Sequence, residues 1–324
     1  MKRFSAQYIF TNSGPVLKRG IITAEDDGTI INVENTGGDL YEKEATEFYN
    51  GIIIPGFVNC HCHLELSDMK GLIQPGKGLP DFILNIRKYR DFNKERKTDA
   101  LLSSDGSLYR EGIVLCADIC NTDITFDFKK QSSIKYINLL EVFGIDPVKA
   151  DKRFGEIILL SQRAESAGIE YWLVPHSVYS LSLPLFRLLK KSTSLNRVTS
   201  LHFMETGAEI TFLKNHAGPL RESYEKSGLY TEKPETVKNH ASAVLEEITP
   251  SGNLILVHNT FADNLTIQKV STRKNLFWCL CPGSNLYIEN HLPPVDLLTS
   301  EGCEIVIGTD SLASNNKLSI LEEL

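Results

Sequence analysis

Residues 56–63 read GFVNCHCH, a short apolar run that stops on two histidines spaced two positions apart. Buried-type runs of this kind recur seven more times, and most end in polar or reactive residues. They are Gly112–Ile119 (GIVLCADI), Ile134–Val142 (IKYINLLEV), Tyr171–His176 (YWLVPH), Arg197–His202 (RVTSLH), Asn253–His258 (NLILVH), Asn275–Cys281 (NLFWCLC) and Glu304–Asp310 (EIVIGTD). Segments with helical periodicity lie between them: Pro80–Arg96, Pro147–Ser166, Leu183–Lys191, Ala208–Glu225, Glu235–Glu247 and Val295–Ser300. Pro147, Pro184 and Pro234 fall near the expected helix starts, where a missing N–H costs little. Eight buried strands alternating with helices predict an α/β fold, and the number eight favours a closed (β/α)8 TIM-type barrel. An open doubly wound sheet is the alternative, but no GxGxxG or Walker-type loop follows the first run.

Before this pattern begins, residues 1–55 show only short strand candidates: Gln7–Phe10, Gly20–Thr23, Thr29–Val33 and Thr46–Tyr49. Asn12-Ser13-Gly14, Asp27-Gly28 and Gly37-Gly38 separate them as turns. Two parts are therefore expected, a small β unit over 1–55 and the barrel over 56–324. The 324 residues carry 34 Lys+Arg against 41 Asp+Glu, a net charge of −7, which argues against nucleic acid as a partner. No stretch reaches the roughly 20 apolar residues of a membrane span, so no membrane partner is expected either. The start, MKRFSAQYIFTNSGP, lacks the apolar core of a secretion signal. Seven thinly spread cysteines suit free thiols in a reducing compartment, so a cytoplasmic location is expected.

Functional groups of such barrels sit at the C-terminal ends of the strands. Five of the eight runs end in an imidazole or a carboxylate: His61/His63, His176, His202, His258 and Asp310. Strand side chains alternate, so His61 and His63 share one face while Cys62 points away. With His202 and Asp310 they make a set of three nitrogens and one oxygen, suited to one divalent ion, zinc or iron, with room for a water. Glu205, three residues beyond His202 in HFMET, would lie just past its strand end. There it could shuttle protons without ligating the metal, the alternative being a solvated loop carboxylate. His258 could be a fourth ligand or a base oriented by Asp310. Tyr171–Ser177 offers no Lys, Asp or Glu to bridge a second ion, so one metal is expected.

Taken together, PGFVNCHCH, HFMET, LVHNT and IGTDSLASN resemble the strand motifs of the amidohydrolase superfamily, in its mononuclear deaminase and chlorohydrolase branch, from about residue 51 to 324. Within that branch HLELS, VPHSVYSLS, CPGSNLYI and GTDSLASNN are most similar to aminodeoxyfutalosine deaminases. The resemblance implies a small N-terminal β-sandwich beside the barrel and hydrolytic deamination of a purine-like, adenosine-derived small molecule. It implies His61, His63, His202 and Asp310 as metal ligands, Glu205 as proton shuttle, and His258 beside the attacking water. His176 would contact the substrate or its leaving group. A chlorohydrolase-type reaction, or a metal-binding barrel without activity, is the alternative.

Several further residues carry weaker expectations. Glu65 and Ser67 could hydrogen-bond a ribose or ring edge, and Asn285 could line the pocket or brace a loop. Arg87 and Arg90 could grip a substrate carboxylate or form a solvated face. The pairs Cys60/Cys62 and Cys279/Cys281 read as buried thiols rather than a structural zinc site. His216, His240 and His291 fall outside the ligand pattern. The chain stops fourteen residues after Asp310, so the fold is expected to be C-terminally shortened, with an unfinished small sheet favouring association such as a homodimer.

Overall fold

In a computed structural model, which describes residues 1–39, 43–90, 94–232 and 234–324, the chain divides into two units, Met1–Phe57 and Val58–Leu324. The first unit is one sheet of five strands: β1 (Lys2–Ile9), β2 (Leu17–Lys18), β3 (Ile21–Ala24), β4 (Ile30–Glu34) and β5 (Thr46–Ile53). β1 pairs antiparallel with β2 and β3, β3 pairs antiparallel with β4, and β5 runs parallel to β1. Ala6, Ile9, Ile21 and Ala24 are buried, whereas Ile30, Phe48 and Ile52 stay exposed. The sandwich implied by the resemblance needs a second packed layer. The described residues of this unit form a single sheet, so that expectation is corrected to one layer.

In the second unit every one of the eight apolar runs is a strand. They are β6 (Phe57–Cys62), β7 (Ile113–Cys120), β8 (Lys135–Val142), β9 (Tyr171–Pro175), β10 (Val198–Phe203), β11 (Asn253–His258), β12 (Leu276–Leu280) and β13 (Ile305–Ile307). β6-β7-β8-β9 form one sheet and β10-β11-β12-β13 a second, with the registered neighbours β7 to β9 and β10 to β13 all parallel. Parallel bridges join them at both seams, Cys62 to Asp310 and Ser177 to His202, so the eight strands close into a TIM-type barrel. Alternation along β11 and β12 separates two faces. Leu254, Leu256, Trp278 and Leu280 cluster with the helix residues Ile267, Val270 and Leu298. Ile255, Val257, Cys279 and Cys281 form a separate cluster.

The helices depart from expectation where the chain carries punctuation or no stripe. The expected helix Pro80–Arg96 is observed as Leu79–Tyr89; part of its remainder, residues 91–93, lies outside the described residues. A further helix, Lys94–Arg110, was not anticipated, because its charged and serine-rich sequence buries only a sparse apolar stripe, Leu101 and Leu108. Ala208–Glu225 is split into Gly207–Asn215 and Pro219–Lys226 by Gly218, whose φ of 88° suits glycine and no helix. Glu235–Glu247 shrinks to His240–Ser242 and Ala243–Glu247, started by an Asn239 capping box.

Candidate active site

The two seams of the barrel carry the site. At one, β6 supplies His61, His63 follows directly, and Asp310 lies opposite, bridged to Cys62. At the other, His202 in β10 donates its backbone N–H to the carbonyl of His176, 2.8 Å away. Closing the ring thus gathers side chains from the two ends of the barrel sequence. His63 Nε2 lies 3.0 Å from His61 Nε2 and 3.2 Å from His202 Nε2. Asp310 Oδ1 faces the same point, 3.8 Å from His61 Nε2 and 3.6 Å from His63 Nε2. Its other oxygen accepts hydrogen bonds from Ser284 (2.5 Å) and Ser314 (2.7 Å), which sets the carboxylate's orientation. Gly308 makes the approach possible, since a Cβ there would lie 2.8 Å from that of His61.

The charge states follow from burial. Burial first, then the neighbouring imidazoles, push His61 well below its ordinary pKa; burial and His176 do the same to His202. His202 Nδ1 lies 2.8 Å from the His176 carbonyl, which can only accept, so Nδ1 holds the proton and Nε2 presents a lone pair. Burial would raise Asp310, but His63, His258 and the two serine hydroxyls outweigh it and hold the carboxyl below its usual range. Neutral imidazole lone pairs and one anionic oxygen aimed at a common point are a donor set for a borderline divalent cation. His61, His63 and His202 can hold one, with Asp310 beside them.

Next to this cluster, His258 and Glu205 face each other, His258 Nε2 to Glu205 Oε1 at 3.5 Å. Alternation along β11 would send His258 with Leu254 and Leu256 toward the helices. Its left-handed backbone (φ 76°), followed by Asn259 (φ 57°), breaks that alternation, and the side chain lines the cavity. Asp310 (φ 54°) and Met204 (φ 49°) are left-handed too, which places four such residues at the site. Asn285 Oδ1 sits 2.9 Å from His258 Nδ1, which leaves Nε2 to face Glu205. Glu205 is buried and accepts a hydrogen bond from the Tyr179 hydroxyl at 3.1 Å. Burial, reinforced by Glu209, raises its pKa well above the ordinary carboxylate value, the proton-holding state a general acid needs.

These groups open into a cavity of about 440 Å³. Its walls are apolar at Leu66, Leu79, Phe82 and Ile86, and Arg87, Arg90 and Arg153 also line it. His176 lines it, as expected, but Glu65, Ser67 and Asn285 do not. Glu65 turns to the backbone and hydroxyl of Thr122 (2.9 and 3.0 Å), Ser67 is buried, and Asn285 braces His258. Asn285 thus takes the bracing role, and Glu65 holds the Thr122 loop. Arg90 donates to Asn121 (3.1 Å) and approaches Glu65, whereas Arg87 stands on the cavity wall. One site residue went unanticipated. Glu141, near the end of β8, has Oε1 2.8 Å from His176 Nδ1 and 3.5 Å from His202 Nδ1. The signal was a lone carboxylate in the otherwise apolar IKYINLLEV. Glu141 raises His176 against the effect of burial, so the two form an ion pair whose carboxylate is buried and whose imidazole is half-buried. All seven cysteines are free thiols, five of them buried.

A family model described as the amidohydrolase family matches residues 52–324. The chain belongs to the amidohydrolase family. It is an enzyme of that family, hydrolysing C–N bonds, and its relatives include deaminases. It is 25% identical over 288 residues to an adenosine deaminase of Helicobacter pylori, covering 87% of this chain and 69% of that one. It is 26% identical to an aminodeoxyfutalosine deaminase of Nitratiruptor, covering 88% and 69%. Among solved structures, the Helicobacter pylori aminofutalosine deaminase in complex with methylthio-coformycin superposes with a TM-score of 0.82 at 21% identity, covering 100% of this chain and 80% of that one. The atrazine chlorohydrolase of Arthrobacter aurescens, complexed with zinc, gives 0.72 at 17% identity, covering 99% and 74%. These likenesses show the fold. No helix among the described residues is long and apolar enough to cross a membrane.

Proposed function

We propose that the chain is a one-metal deaminase of an adenosine-like small molecule, with residues 56–324 as the catalytic barrel and residues 1–55 as its accessory sheet. One observation carries this reading: His61, His63, His202 and Asp310 converge beside a facing Glu205–His258 pair at 3.5 Å, and all of them but the buried His61 line one cavity. The four residues hold the ion, zinc in preference to iron, given the zinc in the chlorohydrolase and in an adenosine deaminase of the same fold. When bound there, a divalent cation lowers the pKa of a coordinated water toward neutrality.

The protein's own side chains supply the rest. Glu205, held protonated by burial, donates to the ring nitrogen beside the carbon that bears the amino group, so the adduct gathers less negative charge. His258, oriented by Asn285, and Asp310 take the proton released by the attacking water. Glu205, now ionised, takes that proton from His258, 3.5 Å away, and passes it to the departing ammonia; the adduct's remaining hydroxyl proton then restores Glu205. His176, fixed by Glu141, faces the leaving side. The apolar wall takes the part of the substrate beyond the purine, and Arg87, Arg90 and Arg153 favour an anionic group on it.

A chlorohydrolase differs in a leaving group that needs no proton, so the same residues serve either reaction and the choice falls to the substrate panel below. A metal-binding barrel without activity would need neither Glu205 nor His258. Ammonia release from adenosine, methylthioadenosine, S-adenosylhomocysteine, aminodeoxyfutalosine and guanine, with and without chelator, tests the reading. Turnover that is lost on chelation and restored by zinc is expected; turnover untouched by complete chelation refutes it. A cytoplasmic, homodimeric enzyme fits the thiols and the exposed Phe48 and Ile52 of the small sheet, and light scattering measures the second point.

A further inference from the structure

We propose that Glu323 is a positioning residue for Asp310 and His258, acting through the first turn of the helix Pro282–Glu289. The inference rests on the reading above, in which Asp310 holds the metal and His258 serves the attacking water. The first backbone N–H groups of a helix have no acceptor within it, and a carboxylate there is also favoured by the positive end of the helix dipole. Glu323, itself buried, meets that need: its Oε2 accepts from the Gly283 N–H at 2.7 Å. The next two residues of the same turn are the ones that reach the site. Ser284 donates to Asp310 Oδ2, and Asn285 contacts His258 Nδ1.

A second route runs from the other carboxylate oxygen. Glu323 Oε1 accepts from Asn315 Nδ2 at 2.6 Å, and the same Nδ2 lies 3.0 Å from the carbonyl of Thr309, the residue before Asp310. Both routes therefore end on Asp310, one through its side chain and one through its backbone. The contact leaves no slack, because a Cβ on Gly283 would sit 2.8 Å from Glu323 Oε1 and from Asn315 Nδ2.

The test measures zinc affinity by chelator competition, and separately kcat and KM at saturating zinc, all well below each variant's Tm. Glu323→Ala and Gly283→Ala are expected to weaken zinc binding about 10- to 100-fold, the usual effect of losing a partner behind a ligand. They should also lower kcat with little change in KM. Glu323→Gln keeps the volume but only one acceptor oxygen for two donors, and should lose about tenfold. If the alanine variants do not fold, Glu323→Gln decides alone. Zinc affinity and kcat within about twofold of wild type, with only Tm lowered, overturn the inference. Wild-type protein that binds zinc yet deaminates no purine refutes the functional reading instead, and the zinc comparison still decides the role of Glu323.

Discussion

Replacing Glu205 by Gln removes a proton carrier while keeping its volume. No other carboxylate lining the cavity can take over. Among the carboxylates lining the cavity, Glu141 and Asp310 are both held below the ordinary range by neighbouring imidazoles, so they stay ionised at neutral pH. Glu205 alone is raised, by burial and by Glu209. General acid–base contributions run from about 10² to 10⁴, and with no substitute acid the upper half of that range applies. A loss of about 10³ to 10⁴ in kcat corresponds to about 4 to 5.5 kcal/mol of transition-state stabilisation. KM should move little, since Gln can still accept from the Tyr179 hydroxyl. In the wild type, activity that needs protonated Glu205 falls as pH rises through the raised pKa, and Glu205→Gln should lack that limb. The assay is steady-state ammonia release across pH, on wild type and variant matched for zinc content. A variant retaining more than about a tenth of wild-type kcat refutes the assignment, because binding and metal chemistry would then suffice.

Three further outcomes follow from the same geometry. Metal-free protein should lose stability as pH falls below the ordinary imidazole range. His61, His202 and His258 stay neutral when folded but protonate when unfolded, which contributes up to about 4 kcal/mol per pH unit. Raised Glu205 works in the opposite sense, its stabilisation present below the ordinary carboxylate value and lost as pH rises through its folded value, so Glu205→Gln should steepen the acid limb; a flat Tm between pH 5 and about 6.5 refutes this. Lys129→Met should cost about 3 to 5 kcal/mol in urea unfolding, because it strands Asp118, fully buried and otherwise paired with Lys129. An effect below about 1 kcal/mol would mean the pair is dispensable. Arg87→Ala should raise KM about 10- to 100-fold for a substrate bearing a carboxylate and leave adenosine unchanged, the worth of a charged hydrogen bond; equal effects on both would remove Arg87 from specificity.

How far the sequence discloses such a site depends on whether a residue's direction is set locally or by closure. The eight strands are legible because a strand buried on both faces has to be a nearly unbroken apolar run. His61 and His63 are legible because period two puts both on one side, and His202 and Asp310 because strand ends face the cavity. His258 also ends its strand, but alternation does not set its direction. Its run is readable, but alternation points it at the helices, and only the left-handed turn at residues 258 and 259 brings it inward. Glu141 marks itself as a charge in an apolar strand, yet its partners His176 and His202 come from the next two strands, and pairing alone brings them together. Ser284 and Glu323 carry no local signal, being ordinary polar residues on a helix start and a short distal helix. They gain meaning once Cys62 and Asp310 bridge across the seam and the chain's distal segment is drawn against residues some 250 positions earlier. The ligands can thus be read from strand periodicity, whereas the groups that orient them depend on the barrel being closed. Mutations at those groups should therefore weaken the metal and the chemistry together.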